Sequence, residues 1–281
     1  MKKVFYIFQV FNILLLFFTL NGFSQEDSIN KKNNIIPINV PDINSIAVGS
    51  GYSQFKALDE KANQLIFKAQ LVPVYFAYSK ESEKRIFNIN IDIRNGLIDN
   101  NQNNSEIQPT NRSYNYLVQD EINVEYARKI NQKRKQKVDF FIGGQLKQYY
   151  SMSLADAPVY VSSELSINPM FLTNYHINET IALKSLVSIS IASINTNIPY
   201  QATPTVGTQN NFLSTFFSET DYTTINHYKR INFHPSLEKK LTDRWTFSID
   251  YIFRWSHYTH ANNNLSTYDN SILVKFTKKI I

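Results

Sequence analysis

Cysteine is absent from the 281 residues, which excludes disulfides, thiolate metal sites and a lipid-modified cysteine anchor. After residue 20 no segment approaches the roughly 20 consecutive apolar residues of a spanning helix. Charge of one sign is gathered in no single tract. The net +6 is spread over turns and alternating positions, so no nucleic-acid patch is read. Signatures of enzymes are scarce as well. The five histidines, His176, His227, His234, His257 and His260, form no HExxH or other spaced metal motif. No phosphate loop or nucleophile elbow occurs, because Gly49-Ser-Gly51 is too short and lies in a strand-like segment. No metal and no cofactor is expected.

What remains is abundant apolar material in an alternating arrangement. Hydrophobic residues make up 43% and aromatics 14% of the chain, with 17 Tyr and 20 Phe, yet mean hydropathy is only −0.31. Amphipathic strands reconcile these figures, since half of each strand is polar. The stretch from Trp245 to Trp255 shows the pattern best. Trp245, Phe247, Ile249, Tyr251, Phe253 and Trp255 fall on one face, and Thr246, Ser248, Asp250, Ile252 and Arg254 on the other. Ten residues at about 3.3 Å each, tilted by about 40°, rise about 25 Å, the height of a barrel's apolar band with an aromatic ring at each edge. Trp245 and Trp255 are therefore expected at the two membrane interfaces.

Ten strand-like segments can be counted, near 43–53, 63–79, 85–96, 113–128, 137–150, 162–177, 180–193, 224–238, 244–257 and 270–279. Phe87, Ile89, Ile91 and Ile93 oppose Asn88, Asn90, Asp92 and Arg94; Ile231, Phe233 and Leu237 oppose Arg230, Asn232, His234, Ser236 and Glu238. Helical spacing is supported nowhere at comparable length. The connections are read as alternating strictly, long then short. The long ones are 54–62, 97–112, 151–161, 194–223 and 256–269; the short ones are SKESEK, NQKRKQK, Asn178-Glu179 and KKLTDR. Short turns on one side and longer loops on the other suit an outer-membrane barrel, and closure removes exposed sheet edges. The expectation is an all-β, closed antiparallel up-and-down transmembrane β-barrel of about ten strands, with eight or twelve as alternatives.

Three positions disturb the pattern. Pro73 removes a ladder donor inside the second segment, so a bulge or break is expected there. Asp120 falls on the apolar face of the fourth segment, implying a bulge or a stretch lying above the membrane. His227 and Lys229 share the outward parity of the eighth. The polar face assigns Asp92, Arg94, Glu121, Glu125, Lys147, Lys184, Arg230, Glu238, Asp250 and Arg254 to the lumen, together with Asn88, Asp139 and Lys275. A barrel of this size is only slightly wider than one filled by its own side chains. The charges are expected to pair across the interior, and the loop 194–223, with Phe212, Phe216 and Phe217, is a candidate constriction.

The first residues read as an export signal: Lys2 and Lys3, an apolar run from Val4 to Leu20, then small residues at Gly22 and Ser24. The expected organisation is a signal peptide over 1–24, a flexible periplasmic lead-in over 25–42 and the barrel over 43–281, located in the outer membrane. Expected partners are outer-membrane lipid and the barrel-assembly machinery. The latter would be met through the last strand, whose Ile272, Val274 and Phe276 resemble the assembly signal of such barrels. No nucleic-acid partner is expected.

Two resemblances add to this. The layout of a signal peptide before a small aromatic-rich barrel, in an Asn-, Lys- and Ile-rich chain, resembles uncharacterised outer-membrane barrel proteins of Bacteroidota. The stretch Arg254-Trp-Ser-His-Tyr-Thr-His-Ala-Asn-Asn-Asn-Leu-Ser-Thr-Tyr-Asp-Asn270 resembles the active-site region of outer-membrane lipid A deacylases. That likeness implies His257 as base, Thr259 as nucleophile and Asp269 as the carboxylate orienting the base. It departs from the family in having Thr for Ser, His260 for Asn and Asp269 for Glu. No pairing of the kind an outer-membrane aspartyl protease needs at its rim is found. The reading is therefore a non-enzymatic barrel, a narrow channel or a structural or surface protein. The alternative is a lipid A acyl-ester hydrolase acting in the outer leaflet.

Overall fold

The computed structural model describes residues 42–59, 65–99, 116–131, 137–154, 161–198, 220–260 and 263–280. The proposed signal peptide, the lead-in up to residue 41, and Phe212, Phe216 and Phe217 of the longest connection lie outside the described residues. Within them the chain forms twelve strands: β1 (Ile43–Asp59), β2 (Leu65–Glu81), β3 (Arg85–Asp99), β4 (Tyr116–Lys129), β5 (Val138–Leu154), β6 (Val161–His176), β7 (Ile181–Ile189), β8 (Ala192–Ile198), β9 (Thr220–Thr224), β10 (Tyr228–Lys240), β11 (Trp245–His260) and β12 (Asn263–Ile280).

All pairings are antiparallel, β1 pairs with β12, and β5 closes onto β6. The ring runs β1-β2-β3-β4-β5-β6-β7-β10-β11-β12. Twelve strands less β8 and β9, which prolong β7 and β10 at one end, leave ten staves. Opposite β6, Met170 pairs with Ser188 but Ile167 pairs with Ala192, so β8 continues β7 after one extra residue, a bulge at Ser190–Ile191. Pro169, which has no N–H to offer, lies beside this bulge on β6.

The expected irregularity at Pro73 is a break without a shift. Ser50 pairs with Val74 and Ser53 with Leu71 in one register, the ladder is interrupted between them, and the Ser50 hydroxyl donates to the Pro73 carbonyl at 2.8 Å. Asp120 keeps its outward parity without any bulge: β3 and β4 hold one register from Arg85↔Arg128 to Leu97↔Tyr116. It lies near the end of β4 that meets the long connection. Glycine marks the tightest approach between staves, for a Cβ on Gly96 would stand 1.8 Å from the Gln70 carbonyl oxygen.

The strict alternation of connection lengths does not hold. Residues 60–64, 155–160 and 261–262 join strands at the long-connection end, while 130–137 join β4 to β5 at the short-turn end. The strands run on past the apolar belt because period-two pairing needs no hydrophobic partner once the ladder is started. The segment 256–269, expected as a loop, is thus mostly the upper half of the β11–β12 hairpin.

Burial is inside-out relative to a soluble protein. The outward parity exposes Ile46, Val48, Val72, Val74, Phe76, Ile93, Phe171, Phe233, Ile249, Ile272, Val274 and Phe276, while serines, amides and charges are buried. Trp245 is exposed at the short-turn end, with the Lys278 ammonium 5.5 Å from its ring centre. Trp255 stands ten residues further along the same face. An apolar outer wall around a polar interior is the distribution a transmembrane barrel requires.

Candidate functional site

Inward residues at mid-height form one charged layer. Its cations are Arg94, Lys147, Arg230 and Arg254, and its anions are Asp92, Glu121, Glu164 and Asp269; all eight are buried, Arg94 at 0% and Lys147 at 1% exposure. Strand alternation puts each there: Asp92 and Arg94 from β3, Glu121 from β4, Lys147 from β5, Glu164 from β6, Arg230 from β10, Arg254 from β11 and Asp269 from β12.

Glu121 is the hub. Its Oε2 lies 3.1 Å from Lys147 Nζ, 3.2 Å from Arg254 Nε, 3.3 Å from Arg230 Nη2 and 3.8 Å from Arg94 Nη2. Arg254 also reaches Asp92 at 3.0 Å and Asp269 at 3.2 Å, and Arg94 donates to Asp92 at 2.6 Å and to Asp269. Arg230 donates to Glu164 at 2.5 Å and stacks its guanidinium 4.7 Å from the Tyr149 ring centre. The Tyr228 hydroxyl donates to the same Glu164 oxygen at 2.5 Å. In the ring, four staves separate β4 from β11 on either side. The Glu121–Arg254 pair therefore crosses the lumen along a diameter.

Apolar inward clusters flank this layer. Phe55, Ala57, Ala69, Leu71 and Leu117 lie toward the long-connection end, and Ile86, Ala127, Phe141, Met170 and Leu172 toward the short turns. Such apolar neighbours lower the local dielectric, which strengthens ion pairs already made and makes an unpaired charge costly. The lumen is thus not polar throughout, as the polar faces alone suggested.

The other sequence-assigned lumen charges lie nearer the short turns. Lys184 bridges Glu238 at 3.1 Å and Glu81 at 3.5 Å, half-buried. Asp250, fully buried, binds Lys275, His234 at 2.6 Å and the Ser236 hydroxyl at 2.7 Å. Glu125 receives amide N–H groups from Gln145 at 2.8 Å, Asn88 at 3.2 Å and Asn90 at 3.4 Å. Asp139 pairs with Lys129 at 2.6 Å. Glu164 is a member of the layer that the sequence reading passed over. Its parity with Ser166 and Asn168, against outward Leu165 and Ile167, was the available signal, blurred by inward Met170 and Leu172.

The proposed catalytic trio is divided between the two faces of the wall. His257 Nε2 stands 3.1 Å from Thr259 Oγ1 on the outward face. Asp269 is two-faced from them by alternation: its register partner is Arg254, and its side chain is inside, bound to Arg94, Arg254 and the Ser53 hydroxyl at 2.7 Å. The group beside His257 Nδ1 is Ser266 Oγ at 2.9 Å. Asp269 does not orient His257, because an intact β11–β12 ladder fixes the parity of both.

No protein-family model and no curated protein sequence matches this chain. Solved structures do. The chain is similar to the outer membrane protease OmpT from Escherichia coli, at 8% identity and a TM-score of 0.47, over 89% of this chain and 99% of that one. It is also similar to Neisserial surface protein A, at 8% identity and a TM-score of 0.35, over 84% and 97%. The Pseudomonas putida toluene transporter TodX matches at 8% identity and a TM-score of 0.34, over 85% and 90%.

Proposed function

We propose that this chain is an outer-membrane β-barrel closed at mid-height by an ionic plug, with a structural or surface role in the cell envelope rather than a role as an open pore. The observation that carries this reading is the diametric Glu121–Arg254 pair inside a buried layer of four cations and four anions. A barrel of ten staves is narrow enough for such side chains to meet, and apolar clusters above and below keep water from dissolving the layer. The apolar outer wall supports the membrane location. The export-signal pattern of residues 1–24 and the exposed Ile272, Val274 and Phe276 of β12 support delivery by export and insertion by assembly machinery. The hydrolase reading lacks its carboxylate, since Asp269 belongs to the plug.

The test is conductance across planar bilayers. The wild-type chain is expected to give no steady conductance, and Glu121→Ala/Arg254→Ala, which clears the diameter while keeping the layer neutral, is expected to open one. A stable wild-type pore would overturn the proposal.

A further inference from the structure

The outer wall carries a charge arrangement that the lumen does not explain. Arg85 and Arg128 are directly opposite on β3 and β4, and both are exposed. The Lys129 N–H donates to the Lys84 carbonyl at 2.8 Å, so the 84–129 rung is the hydrogen-bonded one. The next rung, 85–128, is then of the non-hydrogen-bonded kind, in which facing side chains are closest. Like charges so placed oppose folding unless something anionic lies between them.

Among the described residues, the neighbouring strands do not supply that anion. Glu81 is engaged with Lys184, Asp139 with Lys129, and Asp42 with Lys80, and Glu83 belongs to the turn itself. Lys129 of the adjoining rung turns inward to Asp139, and Lys80 of the next stave holds Asp42, so neither brings an anion to the pair. One rung further into the wall on the same outward parity stand Phe87 and Tyr126, then Ile89 and Val124, then Ile91 and Ile122. Tyr126 is 39% exposed.

We infer that Arg85 and Arg128 hold the phosphate of an anionic phospholipid headgroup at the short-turn end of the barrel. Two planar guanidinium forks match phosphate oxygens in number and geometry. Their outward parity and the apolar rungs directly beside them commit the anion to a lipid, whose chains then lie along Phe87 and Tyr126 and on past Ile91 and Ile93. A soluble acidic partner would approach from the turns instead. This inference rests on the membrane reading above, and the experiment separates the two.

The full chain is first inserted into phosphatidylcholine vesicles carrying brominated acyl chains, where quenching of its tryptophans tests insertion without any anionic lipid. The detergent-solubilised chain is then offered equal amounts of phosphatidylglycerol and phosphatidylcholine, and retained lipid is counted by native mass spectrometry. At about fivefold per basic side chain near a membrane surface, the wild type is expected to favour phosphatidylglycerol about thirtyfold. Arg85→Gln/Arg128→Gln is expected to retain both lipids equally. Arg244→Gln/Lys279→Gln, which removes two charges from the same rim on the other side, is expected to keep the preference. Equal retention by the wild type, persistence of the preference in the first variant, or its loss in the second would each overturn the site. Absence of quenching would overturn the membrane reading and the site with it.

Discussion

Replacing Glu121 by Gln perturbs the plug with almost no change of shape. The amide keeps the volume and retains an acceptor, but four cations within 4 Å lose their shared anion and the layer goes from neutral to one net positive charge. Each pair near 3.3 Å is worth about 5 kcal/mol at an effective dielectric constant of about 20. The loss is not that of all pairs together, because Arg94 and Arg254 keep Asp92 and Asp269 while Arg230 keeps Glu164. Lys147 is left worst, with Asn232 Oδ1 at 3.3 Å as its remaining polar contact among those described. Removing one partner of a buried ion pair costs about 3–5 kcal/mol, a large share of a total stability of about 5–15 kcal/mol.

The assay is equilibrium unfolding of the barrel from lipid vesicles by guanidinium, followed by tryptophan fluorescence. Glu121→Gln is expected to lose about 3–5 kcal/mol. Glu121→Gln combined with Lys147→Met restores three cations against three anions and is expected to recover more than half of that loss. Neutrality of the layer is the quantity under test. If the single variant costs less than about 1 kcal/mol, or the double variant is no more stable than the single one, the reasoning fails.

Two further outcomes follow from the geometry. Gly96→Ala is expected to prevent barrel closure, because the new methyl would meet the Gln70 carbonyl oxygen of the neighbouring stave at 1.8 Å; the yield of heat-modifiable folded protein on gel electrophoresis reads this, and normal folding yield would refute it. Asp269→Ala strips an anion from Arg94 and Arg254 and is expected to cost about 3–5 kcal/mol in the same unfolding assay, whereas His257→Ala loses only half-exposed hydrogen bonds to Thr259 and Ser266 and is expected to cost about 1 kcal/mol or less. Equal costs would contradict the assignment of the two residues to opposite faces.

Which face each side chain takes was legible from period two alone. The outward set on β11 and the inward set on β3 are those the alternation names, and the count of ten staves follows from it. Strand ends were not legible. Residues 256–260 and 263–269 are largely polar, and over 54–59 the pattern inverts, with Phe55 and Ala57 inside and Gln54 and Lys56 outside, so a reading that looks for an outward apolar face stops where the belt stops, although the ladder continues. Nor can local pattern tell which inward charges meet. Glu121 and Arg254 are 133 residues apart and become partners only through closure of the ring. Asp269 shows the converse hazard. Its spacing from His257 resembled a catalytic motif, while its parity with Ser271 and Leu273 put it inside the wall.

The charge layer and the basic rims follow from one constraint. Apolar inward clusters toward either end hold the charge layer in a low dielectric, so any net charge there carries a solvation cost that no distant counter-ion can offset. Neutral grouping at that height is the stable solution, and four cations against four anions satisfies it. The whole chain nevertheless carries +6, so the surplus must reside where water or headgroups reach it. Arg85, Arg128, Lys239, Arg244 and Lys278 at the short-turn end are exposed, as that argument requires. A cation moved from this rim into the central layer, as in Asn232→Lys beside Lys147 and Arg230, should therefore destabilise the barrel, whereas the same charge added at an exposed turn position such as Thr242→Lys should leave its unfolding midpoint nearly unchanged. Equal tolerance of the two substitutions would mean that the lumen is hydrated at mid-height and that the layer is no plug.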